Sequence, residues 1–156
     1  NPMMMELLKT AVKQPLKVNQ LQLSAAFTPS FEAGFHVNME GPKAAVRDGS
    51  VFEYCRLTDT VIQAWSVLQH GYFKGNFVGK EEFAALNHVL NDLAKKYQVT
   101  PTAIALAWVL RYPGKMQAVI GTTKPQHVLE AGKAAAVTLT RKEWYQIYLA
   151  AGNDLP

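Results

Sequence analysis

The 156-residue chain carries a single cysteine, Cys55, and contains no CxxC, HExxH or GxGxxG pattern. One cysteine excludes an internal disulfide and fits a reducing, cytoplasmic setting, with Cys55 expected to be a small buried apolar side chain. The histidines His36, His70, His88 and His127 are scattered and show no metal-ligand pairing, and His88 is expected only to meet Asp92 on a helix surface. Charge is sparse, with 18% charged residues and a net charge of +4. The densest basic spots, Lys95-Lys96 and Arg141-Lys142, lie on predicted helix surfaces, so the stripe expected of a nucleic-acid binder is missing. No apolar run reaches the roughly 18 residues that span a bilayer, and no signal-peptide pattern opens the chain. A soluble protein is expected.

What is present suits one domain with a real core, since 49% of the residues are apolar. Asn1 and Pro2 already stand as the cap and first residue of a helix over 2–12, with Met3, Leu7, Leu8 and Ala11 at helical spacing. The absence of an initiator Met before them suggests a piece of something longer. Residues 16–24 alternate as a strand, and 25–50 show no sustained period and are expected to form a long loop. One or two helical turns over 51–59 precede a second strand over 60–68 and a loop punctuated by Gly71, Gly75 and Gly79.

Phe83, Leu86, Leu90 and Leu93 mark one face of a helix over 80–98. Thr100-Pro101 starts another that Pro113-Gly114 stops. A third strand, 116–121, leads into a helix over 125–136, and Thr140 with Glu143 forms a capping box for the last helix. Apolar strands alternating with helices predict parallel β-α units. Three such strands leave two edges and two faces to cover, by more strands of this chain or by something else.

In parallel β-α architectures ligands bind at the C-terminal strand ends. Those ends offer Asn19, Gln20 and Gln22, then Trp65 and Ser66, then Gly121, Thr122, Thr123 and Lys124. Trp65 inside an apolar strand reads first as core, but its place at the strand's end, beside Ser66 and before a glycine-rich loop, also suits a stacking platform for a planar heterocycle. Gln20 reads as a partner for a neighbouring strand or as a carboxamide-recognising group. The Gly121–Lys124 turn combines a glycine, two hydroxyls, a cation and a helix N-terminus, with His127 one turn on. It suits an anion, and a plain capped turn explains it as well.

In order along the chain, NPMMMELL, NQLQLS, AWSVL, TPTAIALAWVLRYPGKMQAVIGTTKPQHV and LTRKEWYQIYLAAGNDLP resemble the C-terminal half of the aldo-keto reductases, especially the bacterial branch of predicted oxidoreductases. The resemblance covers nearly all of 1–156. It implies an α/β fold that is the C-terminal part, about three strands with their helices, of a (β/α)8 TIM barrel, with 25–50 as a substrate-side loop. It further implies NADP(H) as cofactor, with NAD(H) as the alternative, and a carbonyl substrate.

By position, Gln20 is implied to bind the nicotinamide carboxamide, Trp65 to stack on the ring, and Ser66 and Leu68 to begin the wrap around the pyrophosphate. Gly121, Thr122, Thr123, Lys124 and His127 are implied to hold the adenosine phosphate end. His127 stands where arginine is common, and Ala131 where an adenine-binding asparagine is common. The family's catalytic Asp, Tyr, Lys and His fall before Asn1. The resemblance thus implies that the chain alone is inactive and self-associates or pairs with an N-terminal half. A non-catalytic nucleotide-binding or interaction module is the alternative. A flavodoxin-like protein would need about five strands.

Overall fold

The computed structural model describes residues 1–35, 50–71 and 74–155. Helix α1 (Pro2–Ala11) begins on Asn1, whose side-chain oxygen accepts the Met4 N–H at 3.1 Å. This is the expected cap, yet α1 buries none of its residues, and Leu7 remains 71% exposed. Strand β1 (Val18–Gln22) follows, then α2 (Pro29–Phe35), α3 (Ser50–Leu57) and β2 (Val61–Trp65). After a 3-10 turn over Glu81–Phe83 come α4 (Ala84–Tyr97), α5 (Pro101–Leu110), β3 (Met116–Ala118) and α6 (Pro125–Gly132). Another 3-10 turn, Lys133–Ala136, leads to α7 (Arg141–Ala150).

The sheet is parallel with order β1-β2-β3; Gln20 lies opposite Gln63, Gln22 opposite Trp65 and Gln63 opposite Gln117. Along β2 burial alternates: Ile62 and Ala64 are buried, whereas Val61, Gln63 and Trp65 are half-buried. One face therefore packs on helices, and the other is open among the described residues. The packed side is dense. Every residue of α5 from Ala103 to Val109 is buried, as expected of an apolar helix covered on all sides by α4, α6 and β3. The indoles of Trp108 and Trp144 stack at 4.8 Å, and each donates its N–H to the other's backbone carbonyl at 3.0 Å. These two bonds satisfy polar atoms that burial alone would penalise, and they pin α5 to α7.

The expected loop over 25–50 is corrected in part. Residues Pro29–Phe35 form α2 because Thr28-Pro29 is a helix start and Phe31 has somewhere to go. Its ring is 1% exposed, stacked on Tyr112 at 5.5 Å and edge-on to Phe52 at 5.5 Å. Ser50 belongs to α3, and residues 36–49, with His36, lie outside the described residues. The second strand stops at Trp65 rather than 68 because Ser66 turns the chain, with a left-handed φ of 53°. The third stops at Ala118 rather than 121, although the Val119 N–H still donates to the Ala64 carbonyl at 2.8 Å.

Other expectations hold. Cys55 is fully buried, and burial pushes its thiol above the ordinary value. His88 meets Asp92 at 3.3 Å on the surface of α4. The Thr140–Glu143 capping box is complete.

Candidate functional site

At the C-terminal ends of β2 and β3 the chain encloses a cavity of about 510 Å³. Trp65, the last residue of β2, lines it together with Ser66 and Leu68. The wall opposite is Val119–Thr122 after β3, with His127, Glu130 and Ala131 from α6. Thr102 and Leu106, one turn apart on α5, line it too, as do Val67, Gln69 and Asn76. The apolar walls with a few polar groups have the character of a small-molecule site.

Two turns build the rim. Ser66 Oγ donates to Gln69 Oε1 at 3.0 Å, and the Gln69 N–H returns to the Ser66 carbonyl at 2.9 Å. Ser24 Oγ also holds the Gln69 carbonyl at 2.5 Å, tying this turn to the chain after β1. These bonds hold a non-glycine residue in left-handed backbone, a strain of about 1–3 kcal/mol that gathers at functional sites. Further along, Asn87 of α4 anchors the loop: its Oδ1 accepts the Gly79 N–H at 2.8 Å, and its Nδ2 donates to the Phe77 carbonyl at 2.9 Å. Gly79 needs that freedom, having φ 78°.

In the second turn Thr122 Oγ1 accepts the Lys124 N–H at 3.2 Å and lies 3.4 Å from His127 Nδ1. Lys124 is the N-cap of α6 and gives it no side-chain bond, while Pro125 has no N–H to satisfy. A Cβ built on Gly121 would meet no atom within 4 Å, so the chain's own packing does not demand glycine there.

Six of the residues expected at a site thus meet in one cavity: Trp65, Ser66, Leu68, Gly121, Thr122 and His127. Thr123 and Lys124 stand on the turn beside it without lining it, both exposed. Gln20 is on the open face of the sheet, where its Nε2 donates to Gln63 Oε1 at 3.0 Å. Gln22, one layer nearer the strand ends, has a buried Nε2 with no acceptor among the described residues. Sequence reasoning missed Glu130, Thr102, Gln69 and Asn76. Glu130 was within reach of it, being three residues after His127 on one helix face. Among the described residues no group of three or more His, Cys, Asp or Glu is placed to hold a metal ion, and no helix is long and apolar enough to cross a membrane.

A strand-end cavity walled by βα turns belongs to the parallel β-α class, and the comparisons narrow the class to one family. The model described as "Aldo/keto reductase family" matches residues 6–150, and the chain belongs to that family. A 6-dehydroglucose reductase of Agrobacterium fabrum strain C58 is 31% identical over 96% of this chain, which covers 43% of that relative. The chain thus spans less than half the length of the relative and corresponds to its C-terminal portion.

Among solved structures, the thermostable aldo-keto reductase Tm1743, bound to the inhibitor epalrestat, matches with a TM-score of 0.63 at 18% identity. That match covers 93% of this chain and 43% of the other. A Gox0644 mutant in complex with NADPH matches with a TM-score of 0.60 at 16% identity, over 94% of this chain and 42% of its own. The fold is that part of an aldo-keto reductase TIM barrel which three parallel strands and their helices make up.

Proposed function

We propose that the chain is the cofactor-binding half of an NADP(H)-dependent aldo-keto reductase, whose whole reduces aldehydes and ketones to alcohols by hydride transfer. The observation that carries this is the convergence of Trp65, Ser66, Leu68, Gly121, Thr122 and His127 on one cavity at the strand ends. The donor set suits a dinucleotide: an indole at one end, a helix N-terminus with hydroxyls and the Lys124 cation at the other, and room above Gly121 for a close backbone approach.

The bound nicotinamide supplies or accepts the hydride. Trp65 stacks against its ring, and Gln20 meets the carboxamide. Ser66 and Leu68 start the loop around the pyrophosphate. Gly121, Thr122, Thr123, Lys124 and His127 hold the adenosine phosphate end, where Lys124 supplies a point charge for a 2′-phosphate. Glu130, a carboxylate in the same cavity, is the feature that keeps NAD(H) as the alternative, since carboxylates accept from ribose hydroxyls. The Asp, Tyr, Lys and His that manage the proton are assigned outside these residues. The chain by itself is accordingly proposed to be inactive and to self-associate, or to pair with an N-terminal half, in the cytoplasm.

Calorimetric titration with NADPH and NADH tests the reading. Lys124→Ala should weaken NADPH about tenfold, the scale of one hydrogen bond to a charged group, and leave NADH and the melting temperature unchanged. Equal losses for both nucleotides remove the 2′-phosphate assignment. Failure of the unmodified chain to bind either removes the cofactor reading altogether.

A further inference from the structure

Ser24, two residues beyond β1, is fully closed to water, and its hydroxyl reaches across to the segment after β2, where it donates to the Gln69 carbonyl at 2.5 Å. The main chain around it is fixed. The Ser24 N–H donates to the Phe27 carbonyl at 3.0 Å, and the Phe27 N–H returns to the Ser24 carbonyl at 3.1 Å, closing a tight turn. One residue earlier the Leu23 N–H donates to the Trp65 carbonyl at 3.3 Å, which sets the end of β1 against the end of β2. The hydroxyl is thus delivered from a point tied directly to the sheet.

Its acceptor is the corner of one cavity wall. Gln69 closes the turn that starts at Ser66, with its N–H on the Ser66 carbonyl at 2.9 Å and its side chain bonded to Ser66 Oγ at 3.0 Å. From Gln69 the wall doubles back through an antiparallel bridge to Asn76, and the Phe77 N–H donates to the Leu68 carbonyl at 3.1 Å. Ser66, Leu68, Gln69 and Asn76 all line the cavity; Ser24 does not.

The bonds on Gln69 divide by what they can fix. Those to Ser66 are internal to the turn and set its shape. The one from Ser24 comes from outside and sets where the turn stands relative to the sheet. Its sense is unambiguous, because a backbone carbonyl can only accept. Asn87 anchors the same wall from the α4 side, through Phe77 and Gly79. A binding wall is only as well placed as the groups that support it.

We infer that Ser24 is a positioning residue: through the Gln69 carbonyl it holds the Ser66–Gln69 turn at the separation from Val119–Thr122 at which one dinucleotide reaches both walls. Being fully buried, it touches no ligand itself. This rests on the reading that the cavity takes NADP(H), and it goes beyond that reading by assigning the width of the slot to a residue outside it.

The test is calorimetric, with two probes. NADP+ spans both walls, whereas 2′,5′-ADP has only the adenosine end assigned to Gly121–Lys124. Ser24→Ala removes the bond and little volume. It should weaken NADP+ roughly fivefold, the scale of one neutral hydrogen bond, and leave 2′,5′-ADP unchanged, so that the ratio between the two falls by the same factor. A serine that served stability alone would lower the melting temperature and leave that ratio where it was.

If Ser24→Ala does not fold, Ser24→Cys, close in size and a weaker donor, is read in the same way with a smaller fall in the ratio. An unchanged ratio in the folded variant, or equal losses for NADP+ and 2′,5′-ADP, overturns the positioning role and leaves the cofactor reading standing. Absence of any NADP+ binding by the unmodified chain overturns both.

Discussion

On one side of the sheet Ile62 and Ala64 lie buried beneath helices, and behind them Trp108, Tyr148 and Phe31 are all but closed to water. On the other side Gln20, Gln63 and Gln117 hold hands across three strands, and Val18 is 48% exposed. The helices divide in the same way: α5 buries seven consecutive residues, whereas α1 and α6 bury none. A single chain thus contains a finished half, whose side chains answer to packing, and an open half, whose side chains find little cover among the described residues. Stability should reside in the first and recognition in the second.

The largest effect should come from cutting the finished half. Trp108→Ala removes a buried indole, its stack on Trp144 and its bond to the Trp144 carbonyl, and should cost about 3–5 kcal/mol in urea unfolding. A loss below about 1 kcal/mol would mean that this half is no better packed than the open one.

Next is Glu143, buried at the start of α7. Burial pushes its carboxyl up, but Lys96 Nζ at 2.6 Å, the Thr140 N–H at 2.7 Å, the Thr140 hydroxyl at 2.8 Å and the Tyr97 hydroxyl at 2.8 Å outweigh that and hold it down at about 2. Its folded value lies below the ordinary one near 4.3, so its contribution is complete above that ordinary value and is lost as pH falls toward about 2. Glu143→Gln should cost roughly 2 kcal/mol at neutral pH and flatten the melting-temperature profile between about pH 4.5 and 2. A profile as steep as that of the unmodified chain would place the acid sensitivity elsewhere.

The smallest effect on stability should come from the open half. Leu7→Ser on α1 should change unfolding free energy by less than about 0.5 kcal/mol, because the side chain covers nothing. It should also reduce the self-association proposed above, measured by light scattering. A marked fall in stability with unchanged association would show that α1 is packed after all.

Much of this division was legible in the sequence. Thr100-Pro101 and Pro113-Gly114 bound the helix that proves buried all round, Thr140 and Glu143 announce their capping box, and the three strands and their parallel sense follow from apolar runs alternating with helices. Where reading failed, the reasons are local. The short α2 lies in a stretch with no repeating period, and only Thr28-Pro29 with Glu32 behind it marks its start; Thr28 Oγ1 does bond Glu32. The spacing of Met3, Leu7 and Leu8 correctly gives a helix with an apolar face, but spacing cannot say what covers that face. For the site, strand ends were the right place to look because backbone geometry puts them there. Gln20 was the harder case, since its neighbour Gln63 is 43 residues away and only the register brings the two amides together.

The crossed indole bonds of Trp108 and Trp144 carry a consequence for time as well as energy. Each N–H is held by a carbonyl on the opposite helix, so neither proton can be traded with solvent until α5 and α7 part. Two chemically distinct protons therefore keep one clock. The rate at which both indole signals vanish together in heavy water measures how often the finished half opens.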